Sequence, residues 1–316
     1  MDQTVNRANR GKFEDRKVTA KGELRASVRL SAPQTLWFNT GTLCNITCAH
    51  CYIESSPTND RLEYITGAEV AAFLDELEER KWGVTEIGFT GGEPFMNPEM
   101  IDMARDALGR GYNVLILTNA MQPMQRPSVK SGLLALKEDF GDRLVLRVSL
   151  DHPDRELHEE ERGSGSYKRT LQGMDWLARN GIRMTVAGRS LWHDEEADLR
   201  AAFARLFAAR GYPIDAADPS QCVIFPEMDE NVEVPEITTA CWGILGKSPE
   251  SVMCASSRMV VKRKGAPRAS VVACTLLPYA PEFDLGETLA EAESEVYLNH
   301  PHCAKFCVLG GASCSA

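Results

Sequence analysis

Residues 36–52 read LWFNTGTLCNITCAHCY. A short, mostly apolar run of Leu36, Trp37, Phe38 and Asn39 leads into a loop with three thiols within eight residues: Cys44, Cys48 and Cys51. An apolar strand that ends in a reactive loop is one beat of the parallel α/β rhythm, and the beat recurs downstream. Residues 66–81 predict a helix, with Thr66 as N-cap and Glu69 as its reciprocal partner three residues on. Residues 84–90 predict a strand that ends at Gly91-Gly92. Asn97, followed by Pro98, predicts a helix start running to about Gly111.

Further strands are expected at 112–118, which holds the run VLIL, at 144–150, at 182–187 and at 222–225. Helices are expected at 167–180, closed by Gly181, and at 193–210, stopped by Gly211. Strands separated by helices of this size imply parallel pairing with right-handed crossovers. The expected fold is α/β, a partial (β/α)6 TIM-like barrel rather than a closed eight-unit one. Functional loops collect at the C-terminal ends of such strands. That rule brings the cysteine loop, Gly91-Gly92-Glu93-Pro94, Asn119, Ser149 and Asp151 to one rim.

The remaining composition narrows the class. The chain has 316 residues, with 45 acidic and 35 basic side chains and a formal charge of -10. This balance argues against a broad nucleic-acid or anionic-membrane footprint. No apolar run is long enough to span a bilayer. The first thirty residues lack a secretory pattern and read as a polar, basic-leaning tail over 1–30. A cytoplasmic location is expected. Ten cysteines without a secretion signal point to metal ligation or redox chemistry rather than a disulfide framework.

The cysteines fall into two sets, and residues 52–221 contain none. The second set is Cys222, Cys241, Cys254, Cys274, Cys303, Cys307 and Cys314. Residues 257–262 and 269–273 are short β-rich runs around a turn at 263–265, so a hairpin is expected. Residues 282–295 carry many acids and predict a solvated helix. This last third reads as a small domain with little apolar core, held together by metal ligation. The expected division is a tail over 1–30, a core domain over 31–230 and a small C-terminal cysteine-rich β-hairpin domain over 231–316.

Three soft thiolates suit an iron–sulfur cluster and leave a four-iron cluster with one open iron. A structural zinc site wants four ligands, and His50 would have to fold back to supply the fourth. CNITCAHCY resembles the Cx3Cx2C signature of the radical SAM superfamily. The resemblance implies that Cys44, Cys48 and Cys51 hold a [4Fe-4S] cluster whose open iron is chelated by S-adenosylmethionine (SAM). Reductive cleavage of SAM then yields a 5'-deoxyadenosyl radical that abstracts a substrate hydrogen. Tyr52 would approach the adenine. Gly91, Gly92 and Glu93 resemble the family's GGE motif, whose strand edge receives the SAM amino group. Asn119 would make polar contact with SAM, Ser149 and Asp151 would meet the ribose, and Arg189 would face the carboxylate. Each also has an ordinary reading as a turn, cap or packing residue.

Cys254 and Cys274 bracket the hairpin, and HCAKFCVLGGASC follows at 302–314. This resembles the SPASM or Twitch extensions of the family, and its wide spacings imply one auxiliary [4Fe-4S] cluster. The ligand set implied is Cys254, Cys274, Cys303 and one of Cys307 or Cys314, with Cys307 preferred; three of these with an open iron for substrate, or zinc in place of the cluster, are the alternatives. Cys222 and Cys241 are ambiguous, with a buried free cysteine the commoner reading of each. His300 and His302 are candidate donors beside Cys303. His152 is a rim candidate, and Asp154, Glu156 and His158 lie in a charged stretch expected to loop over the pocket.

An electron donor such as flavodoxin or ferredoxin is implied. Peptide or protein modification stands slightly ahead as the outcome, although thirty residues are short for the leader-binding domain that peptide-modifying members usually carry. A dehydrogenase or mutase acting on a small metabolite is the alternative. A non-enzymatic iron–sulfur carrier or scaffold is a third, but a carrier has no use for GGEP and the matching strand-end polar residues.

Overall fold

The computed structural model describes residues 11–192, 194–226 and 233–311. Its elements run β1 (Ser27–Val28), β2 (Thr35–Asn39), α1 (Gly67–Arg80), β3 (Glu86–Thr90), α2 (Met100–Gly109) and β4 (Asn113–Thr118). Then come α3 (Gln122–Gln125), α4 (Pro127–Phe140), β5 (Leu144–Ser149), α5 (Arg155–Arg162), α6 (Ser166–Arg179), β6 (Met184–Ser190), α7 (Glu196–Arg210) and β7 (Cys222–Pro226). The last third holds α8 (Cys241–Leu245), β8 (Ser257–Val261), β9 (Ser270–Val272) and β10 (Val296–Tyr297), and ends in a π-helix, Cys303–Leu309.

One sheet of eight strands organises the molecule, in the order β7-β6-β5-β4-β3-β2-β8-β9. β2 to β7 are parallel and joined by helices, which is the expected (β/α)6 partial barrel. Their strands are apolar on both faces because helices cover one side and the barrel interior the other; all five residues of β2 are buried. α1 begins with the expected capping box: Thr66 Oγ1 accepts from the Glu69 amide at 3.2 Å, and Glu69 accepts from the Thr66 amide at 3.0 Å.

The hairpin of β8 and β9 is present and antiparallel, but it is no separate layer. β8 pairs in parallel with β2, from Thr35 opposite Ser257 to Phe38 opposite Val260, and so extends the barrel sheet. All five residues of β8 are buried, and Val252, Leu276, Phe283 and Phe306 join the same hydrophobic cluster as Leu36 and Phe89. The apolar core of the last third is therefore larger than its composition suggests, because it is shared.

Several local expectations change. Residues 282–295 form no long helix, only two short 3-10 turns at Pro281–Phe283 and Glu291–Glu293. Between them the chain covers the outer edge of β9: the Val271 amide donates to the Gly286 carbonyl at 2.7 Å, and the Leu285 amide donates to Val271 at 2.8 Å. α2 starts at Met100, because Asn97 spends its side chain elsewhere. Asn97 Nδ2 donates to the Thr40 and Ile65 carbonyls at 3.2 and 2.9 Å, and Oδ1 takes the Glu99 amide at 2.9 Å. α7 starts at Glu196; His193, where its start was expected, lies outside the described residues. The charged stretch around His158 is helix α5, with Asp154 accepting from the Glu156 and Leu157 amides at 2.8 and 3.2 Å.

Residues 11–30, read as a polar tail, pack on the last third. β1 pairs with β10, and the buried Arg25 holds Glu236 at 2.5 Å. Among the described residues no helix is long and apolar enough to cross a membrane.

Candidate active site

The loop after β2 carries Cys44 buried and Cys48 and Cys51 half-buried. Its shape is set by the glycine pair that follows β3. The Gly92 amide donates to the Gly41 carbonyl at 2.7 Å, and the Glu93 amide donates to Leu43 at 3.1 Å. Contact this close leaves no room for side chains. A Cβ on Gly91, whose φ is +141°, would stand 2.5 Å from the Gly41 oxygen, and one on Gly92 would stand 2.1 Å from the Leu43 oxygen.

Cys44, Cys48, Cys51, Tyr52, Gly91, Gly92, Asn119, Ser149, Asp151 and Arg189 all line one cavity at the C-terminal ends of the strands. This is the rim that the strand rhythm predicts. Glu93 is not among them. Its carboxylate is buried and turned away from the cavity, where it accepts from the Asn119 amide at 2.8 Å, Thr118 Oγ1 at 2.9 Å and the Phe95 amide at 3.3 Å. Its side chain therefore ties the end of β3 to the end of β4. Burial pushes its carboxyl up to about 7 despite those donors. Braced this way, Asn119 reaches the cysteine loop: Nδ2 donates to Asn45 Oδ1 at 2.9 Å and lies 3.9 Å from Cys44 Sγ.

Opposite stands an ion network that the motifs do not announce. Arg162, at the end of α5, grips both oxygens of Asp151, with Nη2 to Oδ1 at 3.0 Å and a shorter contact from Nε to Oδ2. Arg189 Nε lies 3.7 Å from Asp151, and its Nη1 donates to Glu161 at 3.0 Å and to the His50 carbonyl at 3.1 Å. Glu161 in turn accepts from the His50 amide at 3.0 Å and meets His50 Nδ1 at 2.7 Å. The end of α5 thus clamps the cysteine loop, and His50 is engaged outward rather than folded back among the thiols. Burial works to raise Asp151, but Arg162 and Arg189 outweigh it and hold the carboxyl below its ordinary range. Burial likewise pushes the Cys44 thiol up to about 12, and it raises Cys48, against which Arg162 pulls.

His152 does not face the cavity. Its Nδ1 accepts from the Asp154 amide at 2.9 Å, its Nε2 lies 3.4 Å from Asp194, and its ring meets Trp192 edge-on. The last third does reach the cavity. Leu276 and Phe306 line it beside Phe225 of β7, and Phe306 packs against Phe225 with the rings tilted by 31° and 5.6 Å between centroids.

Of the second cysteine set, Cys254 and Cys303 are buried and Cys274 half-buried, and Cys303 feels both of the others electrostatically. Cys307 is half-buried one turn further along the π-helix, and Cys314 lies outside the described residues. The rings of His300 and His302 meet at a 60° tilt, 4.8 Å between centroids, just ahead of Cys303. Cys222 is buried on β7, where its carbonyl accepts from Arg200 Nη1 at 2.9 Å, whereas Cys241 is half-buried rather than buried. No three His, Cys, Asp or Glu side chains among the described residues converge on a single metal-ion position. The donors at both places are thiols, soft ligands of the kind that hold iron–sulfur clusters, and those of the first set line the cavity.

Comparison with known proteins agrees with this geometry. The chain is 30% identical over 172 residues to the antilisterial bacteriocin subtilosin biosynthesis protein AlbA of Bacillus subtilis, which covers 52% of this chain and 36% of AlbA. It is 28% identical over 144 residues to an AdoMet-dependent heme synthase of Oleidesulfovibrio alaskensis, covering 45% of this chain and 34% of that one. The chain therefore spans about a third of the length of these relatives. In fold it is similar to SuiB of Streptococcus suis, with a TM-score of 0.56 and 11% identity over 78% of this chain and 61% of SuiB. The model of the radical SAM superfamily matches residues 38–205, more than half of the chain and the whole of the rim from the three thiols to Arg189, and the chain belongs to that superfamily.

Proposed function

We propose that this chain cleaves SAM reductively and uses the resulting radical to take a hydrogen from a peptide or protein substrate. The observation that carries the reading is the single cavity in which Cys44, Cys48 and Cys51 meet Gly91, Gly92, Asn119, Ser149 and Asp151. Residues 31–230 are assigned to the SAM-cleaving core and 231–316 to an auxiliary region.

Cys44, Cys48 and Cys51 would hold a [4Fe-4S] cluster, which when bound supplies the electron for SAM cleavage to methionine and a 5'-deoxyadenosyl radical. The residues of the chain position and shield. Gly91 and Gly92 let a ligand approach backbone closely at the strand edge. Tyr52 offers a face for a purine. Asp151 keeps acceptor capacity beyond its bond to Arg162, enough for a ribose hydroxyl, and Ser149 adds a second polar contact. Arg189 is committed to Glu161 and His50, so its part is to hold the cysteine loop and add positive potential for a carboxylate. Glu93 acts through Asn119 rather than on SAM. Leu276, Phe225 and Phe306 form an apolar wall that keeps water from a reactive radical.

Cys254, Cys274 and Cys303, with Cys307 as fourth ligand, would hold one auxiliary [4Fe-4S] cluster. A flavodoxin or ferredoxin would serve as electron donor. The peptide reading draws on AlbA, named for bacteriocin biosynthesis. The heme synthase relative favours a second reading, oxidation or rearrangement of a small metabolite.

Anaerobic protein reconstituted with iron and sulfide, given dithionite and SAM, is expected to release 5'-deoxyadenosine. The C44A/C48A/C51A variant should release none. Wild-type protein that carries its iron yet yields no 5'-deoxyadenosine would end the enzyme reading. Deuterium transfer from labelled peptide into 5'-deoxyadenosine would separate the peptide reading from the metabolite one.

A further inference from the structure

Arg258 sits on β8 at the centre of the C-terminal third, with 1% of its surface exposed. Its donors are satisfied by main-chain carbonyls alone. Nε donates to Ala292 at 2.9 Å, Nη1 to Cys254 at 2.6 Å and to Ser257 at 2.8 Å, and Nη2 to Ser294 at 3.4 Å. Carbonyl dipoles answer its hydrogen-bonding capacity but carry no net charge. The buried Arg25 and Arg189 and the half-buried Arg162 differ: Arg25 holds Glu236, Arg162 holds Asp151 and Arg189 holds Glu161. Arg258 makes no ion pair with a carboxylate among the described residues. The thiols set beside it are those of Cys254, whose carbonyl it holds at 2.6 Å, and Cys274, two residues past Val272, the β9 partner of Met259.

A cation this deep is costly unless a negative charge compensates it. Neutral thiols cannot do so. Thiols that have given up their protons to a metal can, because ligation requires thiolate. Cys303 belongs to the same group, since it feels both Cys254 and Cys274.

We propose that Arg258 is the built-in counter-ion of the second cysteine site, compensating the negative charge that Cys254, Cys274 and Cys303 acquire on binding an iron–sulfur cluster and raising the cluster's reduction potential. The inference rests on the auxiliary-cluster reading above and adds to it a residue with a defined job. Taking up an electron makes the cluster more negative, and a fixed positive charge buried this deeply favours that reduced form. Arg258 is a positioning and electrostatic residue, because its guanidinium is bonded to carbonyls and not to the thiols. Its effect would favour a cluster that accepts an electron.

The test uses the full chain, reconstituted anaerobically with iron and sulfide and reduced stepwise with dithionite, which supplies one electron per cluster. Iron and sulfide counts on wild type and on the C254A/C274A/C303A variant come first. If the two carry equal iron, the auxiliary-cluster reading fails, independently of Arg258. If wild type carries the second cluster, its midpoint is read by electron paramagnetic resonance in wild type, R258M and R258K. At the wild-type midpoint, R258M is expected to show a reduced-to-oxidised ratio at least tenfold lower, or about 59 mV for one electron. R258K, which keeps the charge, should stay within about twofold of wild type, and the signal of the first cluster should not move in either variant.

A folded R258M with its second cluster at the wild-type midpoint overturns the proposal. If R258M folds without the second cluster while R258K keeps it, the counter-ion role stands; loss in both variants assigns the effect to shape and overturns it. Should R258M not fold, a tenfold drop in R258K would count against the proposal, and an unchanged midpoint would support it.

Discussion

Gly92 has no space for even a methyl group, and its φ is not the reason. A Cβ there would fall 2.1 Å from the Leu43 carbonyl oxygen, so the cysteine loop itself would have to move. Overpacking of this kind costs about 1–3 kcal/mol. G92A is expected to lower the urea midpoint accordingly and to reduce iron bound at the first site, measured by iron count; unchanged values for both would refute the packing argument. His158 makes a different prediction. It is fully buried, neither ring nitrogen has a hydrogen-bond partner, and its ring meets Tyr167 at 5.6 Å. Burial, helped by Arg162, lowers its pKa from 6.5 to about 4. The unfolded chain therefore binds a proton that the folded chain refuses between pH 6.5 and about 4. Stability from this group is full above pH 6.5 and is lost as pH falls through that window, by about 2 kcal/mol at pH 5. Urea unfolding at pH 7 and pH 5 reads this directly. H158F, which keeps the ring contact, should shrink the difference by about that amount, and an identical pH dependence in H158F would remove His158 from the account.

At the scale of elements, α5 is the part of the site that the chain's pattern concealed. Its sequence, RELHEEER, carries no apolar stripe, and its buried residues are His158 and Glu161, so hydrophobic periodicity has nothing to register. It folds as a helix because Asp154 caps it and because its last residues find ionic partners from three other elements. Replacing Asp154 by Ala should cost about 1 kcal/mol in urea unfolding. E161A should cost more, about 1.5–3 kcal/mol, because it removes the charge-assisted bonds to Arg189 and His50 and leaves Arg189 only the longer contact to Asp151; a cost below that of D154A would show that the clamp is incidental. The short motifs made most of the rim legible. Cysteine spacing, a glycine pair and polar residues after apolar runs are local signals, and they located the cavity residues named from sequence other than Glu93, Pro94 and His152. The orientation of Glu93 was not legible, since its partners Thr118 and Asn119 lie one strand away. Glu161 and Arg162 were missed because ion pairs across the rim leave no local pattern. An adjacent acid and base ahead of Gly163, soon after a rim aspartate, was the one available hint. The partner of β8 was hidden for a related reason: an apolar run tells that a strand is buried but not which strand it joins.

On the scale of the whole molecule, the position of β8 decides how the two halves depend on each other. A small cysteine-rich domain would need its metal to stay folded, as small metallo-domains do. Here β8 is hydrogen-bonded to β2, the strand that launches the first cysteine loop, and β1 and Arg25 tie residues 11–30 to the same C-terminal third. Tyr279 extends the attachment on the rim side: its hydroxyl donates to the Ile53 carbonyl at 2.8 Å, and Arg61 lies over its ring at 3.7 Å. The two cysteine sites therefore sit in one continuous core, and Leu276 and Phe306 wall the first cavity from the side of the second. Iron-free protein is accordingly expected to unfold in urea as one cooperative transition, with coincident midpoints from tryptophan fluorescence and far-ultraviolet circular dichroism. The C254S/C274S/C303S variant should keep that single transition. Two separated transitions, or loss of β signal on chelation alone, would mean that the last third stands on its metal and that the shared sheet contributes little to holding it.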